Sequence, residues 1–296
     1  MNGFLCLYKR SGITSFQAVA ETRRIVGEKK LGHTGTLDPM AEGVLPVAFG
    51  RASKFIELLP DHEKAYAACF KLGVRTDTLD ITGTVTETHA VNCTERDVIE
   101  VLPRFTGEIL QVPPMYSAVS VGGVRLYKLA RAGTEIERQA RKVTIRQIEY
   151  RGAVGENEYA IHVTCGKGTY IRALIDDVGA ALGCGAVMTR LVRTYSNGFD
   201  LQSAVTAEKL QEAAAQGRPE QLLLRVDTAL CAYPAVTLSE KQTKLFKNGV
   251  RLDLQRLTGV DADGFYRIYA EDHRFLGVGE TSADHTVMKM KKLYEI

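Results

Sequence analysis

Apolar residues crowd positions 3–9 without helical spacing, which predicts a short buried strand. The next segment, 14–27, predicts a helix. Phe16, Val19, Ala20, Ile25 and Val26 fall on roughly one face, Thr14 or Ser15 supplies the cap, and Gly27 the stop. Segments 64–73 and 81–87 read as strands joined by the polar run 74–80. Thr94 opens a helix that meets Pro103 near its end, and Val121-Gly122-Gly123-Val124 is a hairpin signal. Positions 157–168 alternate like a strand and end in a glycine turn. Helix 169–183 follows, with Thr169 as its expected cap and Gly183 as its stop, then strand 186–199 and helix 206–216. After Tyr233 the pattern changes to a strand, a short helix capped by Ser239 and stopped by Gly249, and several short strands. Strands and helices mix without a steady βαβ rhythm, so the predicted class is α+β, divided into 1–232 and a small β-rich region, 233–296.

Composition narrows the class only a little. A chain of 296 residues can bury a sizeable core. The net charge of +3 is too small to imply a nucleic-acid partner by itself. Its distribution says more: residues 115–146 hold seven Lys/Arg against two Glu, with Tyr116 and Tyr127 interleaved. The six cysteines form no CxxC pair, which predicts reduced thiols, no zinc site and a cytoplasmic protein. No apolar run reaches the length of a membrane span. The brief apolar patch before Lys9 and Arg10 has the wrong order for a signal peptide.

The usual catalytic signatures are missing. There is no Walker A loop, no GxGxxG, no GxSxG and no HExxH, and the glycines and lysine of "CGKGTY" stand in the wrong order for a phosphate cradle. Asp77 and Asp80 in "RTDTLDITG" read as a polar turn rather than a calcium loop. Asp38 stands in "GHTGTLDPMAEGVLPV", where Asp before Pro favours a helix start. Backbone donors and the helix dipole would then keep the carboxylate ionised and aimed outward. Gly32 and Gly35 would let the chain approach a ligand closely.

This segment resembles the signature of the TruB family of tRNA pseudouridine synthases. "KAYAACFKLGVRTDTLD", "PPMYSAVSVGGVRLYKLAR", "CGKGTYIRALIDDVG" and "LVRTYSNGF" recur in the same order in that family, so the likeness runs from about Phe4 to Leu230. Lys9-Arg10 stands where the family often has Lys-Pro. The resemblance implies a mixed, largely antiparallel central sheet flanked by helices. Residues 1–232 would be the catalytic domain, 115–146 an RNA-binding insertion, and 233–296 a PUA-like RNA-binding domain. It further implies isomerisation of uridine 55 in the tRNA T loop, without cofactor, metal or guide RNA, by a cytoplasmic enzyme whose default state is a monomer.

Asp38 would be the nucleophile, Arg172 its partner, and Tyr66 the aromatic that stacks on the flipped base and assists proton transfer. Tyr170 would pack beneath the pocket, Leu191 line it, and His33 pack into the opened T loop and help hold the base out. Lys9, Arg125, Lys128 and Arg131 would contact substrate, and Lys289, Lys291 and Lys292 would reach the acceptor end. A surface pair with Asp176 is the alternative role for Arg172. The alternative function is a tRNA folding chaperone, with or without the isomerase activity.

Overall fold

The structure, a computed structural model, describes residues 1–294; the last two positions of the 233–296 region lie outside the described residues. The chain begins with β1 (Gly3–Lys9), α1 (Ser15–Val26), β2 (Leu31–His33), β3 (Glu42–Phe49) and β4 (Lys64–Leu72). A small hairpin of β5 (Val74–Thr76) and β6 (Val85–Thr88) precedes α2 (Glu95–Val101) and β7 (Gly107–Gln111). The hairpin β8 (Ser120–Val121)–β9 (Val124–Arg125) and the short helix α3 (Leu126–Arg131) interrupt the main fold. It resumes with β10 (Arg141–Gly155), β11 (Glu158–Cys165), α4 (Ile171–Ala181), β12 (Ala186–Ser196), β13 (Phe199–Asp200), α5 (Ala207–Ala215) and α6 (Val226–Ala229).

Nine of these strands form one sheet in the order β1-β3-β12-β4-β11-β10-β7, with β2 added to β3 and β13 to β12. Every pairing in it is antiparallel except β12 against β3, which gives the mixed, largely antiparallel sheet expected. Period-two alternation on β4 puts Tyr66, Ala68, Phe70 and Leu72 into the main core. That core also takes Ile171, Leu174, Ile175 and Val178 from α4, each contributing about 1.5–3 kcal/mol on burial.

A second sheet holds β14 (Ala235–Leu238), β15 (Leu252–Asp253), β16 (Phe265–Ala270), β17 (Phe275–Thr281) and β18 (Val287–Leu293), in the order β14-β16-β17-β18-β15. The helix α7 (Glu240–Lys247) packs on it. Phe275 and Val278 of this sheet share a cluster with Phe4, Phe55 and Phe199, which joins the two halves.

Four local expectations change. Helix α1 is capped at Thr14, one of the two expected positions, through a capping box with Gln17, and stops at left-handed Gly27, but it buries Ser15, Ala18, Val19 and Thr22, and Phe16 is 73% exposed. Its inward stripe has the spacing i, i+3, i+4, i+7, yet is built largely of small residues that hydrophobicity alone does not mark. The strand expected at 81–87 shortens to β6. Asp80 and Asp77 fold the preceding residues into a turn, Gly83 N–H donating to Asp80 O at 3.1 Å and Thr84 N–H to the Asp77 carboxylate at 2.8 Å. Helix α4 starts at Ile171 with Tyr170 as cap position, and the Thr169 hydroxyl donates backward to Gly166 O at 3.1 Å. Finally, the segment outside the sheet between β7 and β10 is 112–140, so Arg141, Lys142 and Arg146 belong to a core strand rather than to the insertion.

Candidate active site

Asp38 lies in the irregular link between β2 and β3, not on a helix. Ala41 N–H donates to Asp38 O at 3.1 Å, closing a turn with Pro39 at its second position, so no helix dipole acts on the carboxylate. The loop is held from three sides. Ser15 of α1 accepts from Leu37 N–H at 2.8 Å and donates to Leu37 O at 3.2 Å. Lys9, fully buried at the end of β1, donates to Arg10 O, Ile13 O and Pro39 O at 3.0, 2.7 and 3.2 Å. Lys9 therefore sits beneath the loop with its donors occupied, and the expectation that it contacts substrate gives way to a positioning role. Burial pushes its pKa down to about 8, against the pull of Asp38.

The third support is Arg193, which the sequence reading did not single out. It is fully buried on β12 and donates to Val44 O at 2.7 Å, Gly35 O at 3.3 Å and Thr36 O at 3.4 Å. The parallel β3–β12 seam brings it there. A Cβ added at Gly43 would stand 2.3 Å from Arg193 O, so this close approach requires glycine. Gly32 and Gly35 meet no such limit: a Cβ at Gly32 has only Ile56 within reach, at 3.7 Å, and at Gly35 it would stand 3.5 Å from Lys64 Nζ.

The Asp38 carboxylate faces Arg172, which α4 projects inward. Nη2 donates to Oδ1 at 2.9 Å, and Nε stands 2.9 Å from Oδ2, off the hydrogen-bond direction. The guanidinium is 4% exposed and also donates to Thr78 O at 2.8 Å and Tyr116 O at 2.9 Å. Its Nη1 is 3.8 Å from Asp80 Oδ2. Asp80 is buried, accepting from Thr78 Oγ1 and Thr82 N–H at 3.0 Å each, so its turn is part of the site rather than a solvated loop. The alternative pairing of Arg172 with Asp176 does not form; Asp176 binds Arg75 at 2.8 and 3.0 Å. Burial pushes the Asp38 carboxyl above its ordinary range; Arg172 pulls it back down and Asp80 adds to the rise. About a third of the Asp38 side chain stays accessible.

These groups line a pocket of about 650 Å³. Tyr66, Leu191, Ile171 and Tyr170 supply apolar wall, and Tyr116, Tyr127 and Arg131 reach in from the insertion. Strand register explains the first two, because Leu191 pairs with Ala68, and Arg193 with Tyr66, on adjacent strands. Burial pushes the Tyr66 phenol up to about 12, with Arg193 opposing, so it is neutral at physiological pH. The backbone of Tyr170 is clamped by buried Gln111, whose carbonyl accepts from Tyr170 N–H at 2.8 Å while its amide donates to Tyr170 O at 3.0 Å.

Of the residues expected at the site, Asp38, Tyr66, Tyr170, Arg172, Leu191 and Arg131 come together around the pocket. His33 does not line it. Burial and Arg193 lower its pKa, and its Nδ1 has no hydrogen-bond partner among the described residues. Arg125 and Lys128 are exposed on the insertion outside the pocket, and Arg125 donates to Ala118 O at 2.6 Å. Asp80, Arg193, Lys64 and Gln111 are the site residues missed. The sequence offered a signal for Asp80 alone, two aspartates in a threonine-rich turn.

The chain also matches known families along its length. Residues 23–171 match the model of the TruB family pseudouridylate synthase N-terminal domain. Residues 172–230 match the tRNA pseudouridylate synthase B C-terminal domain, and 234–288 the C-terminal domain of pseudouridine synthase II TruB. The chain is 42% identical to tRNA pseudouridine synthase B of Clostridium perfringens (strain 13 / Type A), over 99% of both chains. It is 46% identical to the protein of the same name from Azoarcus sp. (strain BH72), over 95% of this chain and 91% of that one. Among solved structures, a chain of a Cbf5-Nop10-Gar1 complex superposes with a TM-score of 0.75 at 25% identity, covering 99% of this chain and 85% of that one. The turn-borne aspartate, its buried arginine and the pocket around them thus lie within sequence shared along the whole chain, which belongs to the TruB family of pseudouridylate synthases.

Proposed function

We propose that this chain isomerises a uridine in the T loop of tRNA, position 55, to pseudouridine. The observation that carries the reading is the Asp38 carboxylate held by Arg172 inside a largely apolar pocket. The shared name of the full-length relatives, tRNA pseudouridine synthase B, supports the choice of substrate.

A uridine inside a folded loop must leave its stack to reach such a pocket, at a cost of a few kcal/mol. The flipped uracil then packs between Tyr66 and Leu191, its glycosidic bond beside Asp38. Asp38 acts ionised, as nucleophile toward the nucleoside or as base at the sugar. The N1–C1′ bond breaks, uracil turns within the pocket, and C5 bonds to C1′. The C5 hydrogen leaves as a proton and N1 gains one, so the product is an isomer and no group donor is consumed. Tyr66, neutral at working pH, is the hydroxyl closest in kind to this proton traffic. Arg172 keeps the carboxylate charged where burial disfavours charge.

Arg125, Lys128 and Arg131 of the insertion would meet T-arm phosphates, and Lys289, Lys291 and Lys292 of β18 the acceptor end. The chain would act on tRNA directly, without a guide RNA, as a cytoplasmic monomer. Tritium release from an unmodified tRNA transcript carrying 5-tritiated uridine tests the reading. Release is expected, and a U-to-C change at the T-loop target should abolish it. No release from the unchanged transcript would refute the function, and release insensitive to the change would refute the target.

A further inference from the structure

Lys64, the first residue of β4, lines the same pocket and has no role in the chemistry above. Among the described residues its ammonium makes no ion pair and no hydrogen bond. Nearby carboxylates are engaged elsewhere: Asp61 accepts from the Tyr195 hydroxyl, and Glu63 pairs with Arg146 at 2.5 Å. Within the pocket, Arg172 faces both carboxylates, Asp38 and Asp80. Lys64 also lies close to a second cation. A Cβ built on Gly35 would stand 3.5 Å from Lys64 Nζ and 3.8 Å from Arg193 Nη1, so the two heads converge on one spot of the catalytic loop. Burial and Arg193 both lower the Lys64 pKa, marking a cation in want of a counter-charge.

The anion that fits is on the substrate. Uracil and ribose are uncharged, and the phosphodiester is the only anion an unmodified RNA carries. Lys64 and Tyr66 are two residues apart on one strand, so they face the same side about 7 Å apart. A nucleotide whose base lies on Tyr66 presents its own flanking phosphates at that range. An ammonium suits a phosphate as a point charge. We propose that Lys64 binds a backbone phosphate adjacent to the flipped uridine, anchoring the nucleotide inside the pocket while the base is detached. This rests on the reading of the pocket as the uridine site.

The test pairs a protein change with a substrate change. Full-length wild type, Lys64→Gln and Lys64→Arg are measured for binding and single-turnover conversion of a synthetic T-arm RNA. A neutral methylphosphonate is placed singly at the linkage 5′ or 3′ of the target uridine. Lys64→Gln should bind about tenfold more weakly, the scale of one charge-assisted hydrogen bond. Its slope of log K against log salt should be shallower by about 0.7–0.9, one phosphate contact. One of the two neutral linkages should weaken wild type about as much and Lys64→Gln less than twofold further, and Lys64→Arg should restore most of the loss. Equal sensitivity of wild type and Lys64→Gln to both linkages would overturn the proposal, as would an unchanged salt slope. A wild type that binds the RNA without converting the uridine would overturn the underlying reading instead.

Discussion

Replacing Arg172 by lysine isolates what the guanidinium does beyond carrying charge. Arg172 faces Asp38 with two nitrogens at 2.9 Å and donates to the carbonyls of Thr78 and Tyr116 at 2.8 and 2.9 Å. An ammonium on a flexible stem cannot span these acceptors. The loss is at least one charge-assisted hydrogen bond, about 1.5–3 kcal/mol, which lowers kcat/KM by roughly 10- to 150-fold. The pH profile separates electrostatics from mere distortion. The fold raises the Asp38 pKa and Arg172 opposes that rise, so weakening Arg172 lets the pKa climb further. Because the proposed mechanism uses the ionised form, the acid limb of kcat/KM moves to higher pH in the variant. An interaction worth about 2 kcal/mol moves it by about 1.5 pH units. Single-turnover tritium release from pH 5 to 9 reads both quantities. A slower variant whose acid limb stays in place, or moves downward, would refute the argument that Arg172 sets the charge of Asp38.

Other consequences are equally direct. Asp38→Asn should abolish tritium release while leaving tRNA affinity within about threefold, and a refolding assay on misfolded tRNA then shows whether a chaperone activity exists apart from the chemistry. Ser15→Ala deletes both hydrogen bonds to Leu37 and leaves a buried N–H unpaired, so urea denaturation should show a loss of about 1–3 kcal/mol, and kcat should fall with it. Gly43→Ala should prevent stable folding, seen as a collapsed soluble yield, because its Cβ meets Arg193 O at 2.3 Å and its φ of +105° already disfavours a side chain. Lys9, with its pKa lowered to about 8, binds its proton less tightly folded than unfolded, so stability from this group rises as pH climbs from 8 toward about 10.4. Subtracting the pH–stability curve of Lys9→Met from that of wild type should leave that upward slope, and a flat difference would refute it.

Local signals carried well from sequence to structure where the physics is local. Thr14, Gly27, Thr94 and the Gly122-Gly123 hairpin act within a few residues, and their elements appear as expected. The inward face of α1 was misread because Ser15 and Thr22 are held there by hydrogen bonds, which an apolar count cannot register. Asp38 was legible through its motif but the local conformation was not, since Asp-Pro opens a turn as readily as the helix expected there. Arg193 looked like one basic residue among many. Its meaning depends on a parallel seam between β3 and β12, in which Gly43 pairs with Arg193, strands far apart in sequence that meet only in the sheet. Asp80 is a similar case, because α4 must return before its carboxylate has a cation to face.

One contact ties together two parts of the molecule that the sequence keeps apart. The guanidinium that holds Asp38 also holds the carbonyl of Tyr116, at the root of the insertion. Where the insertion stands is thus a variable in the acidity of Asp38. Any displacement of Tyr116 that lengthens its bond changes the field at the carboxylate without touching it. A mutation in the insertion can then shift a pH optimum, and a change of pH can shift how the insertion rests.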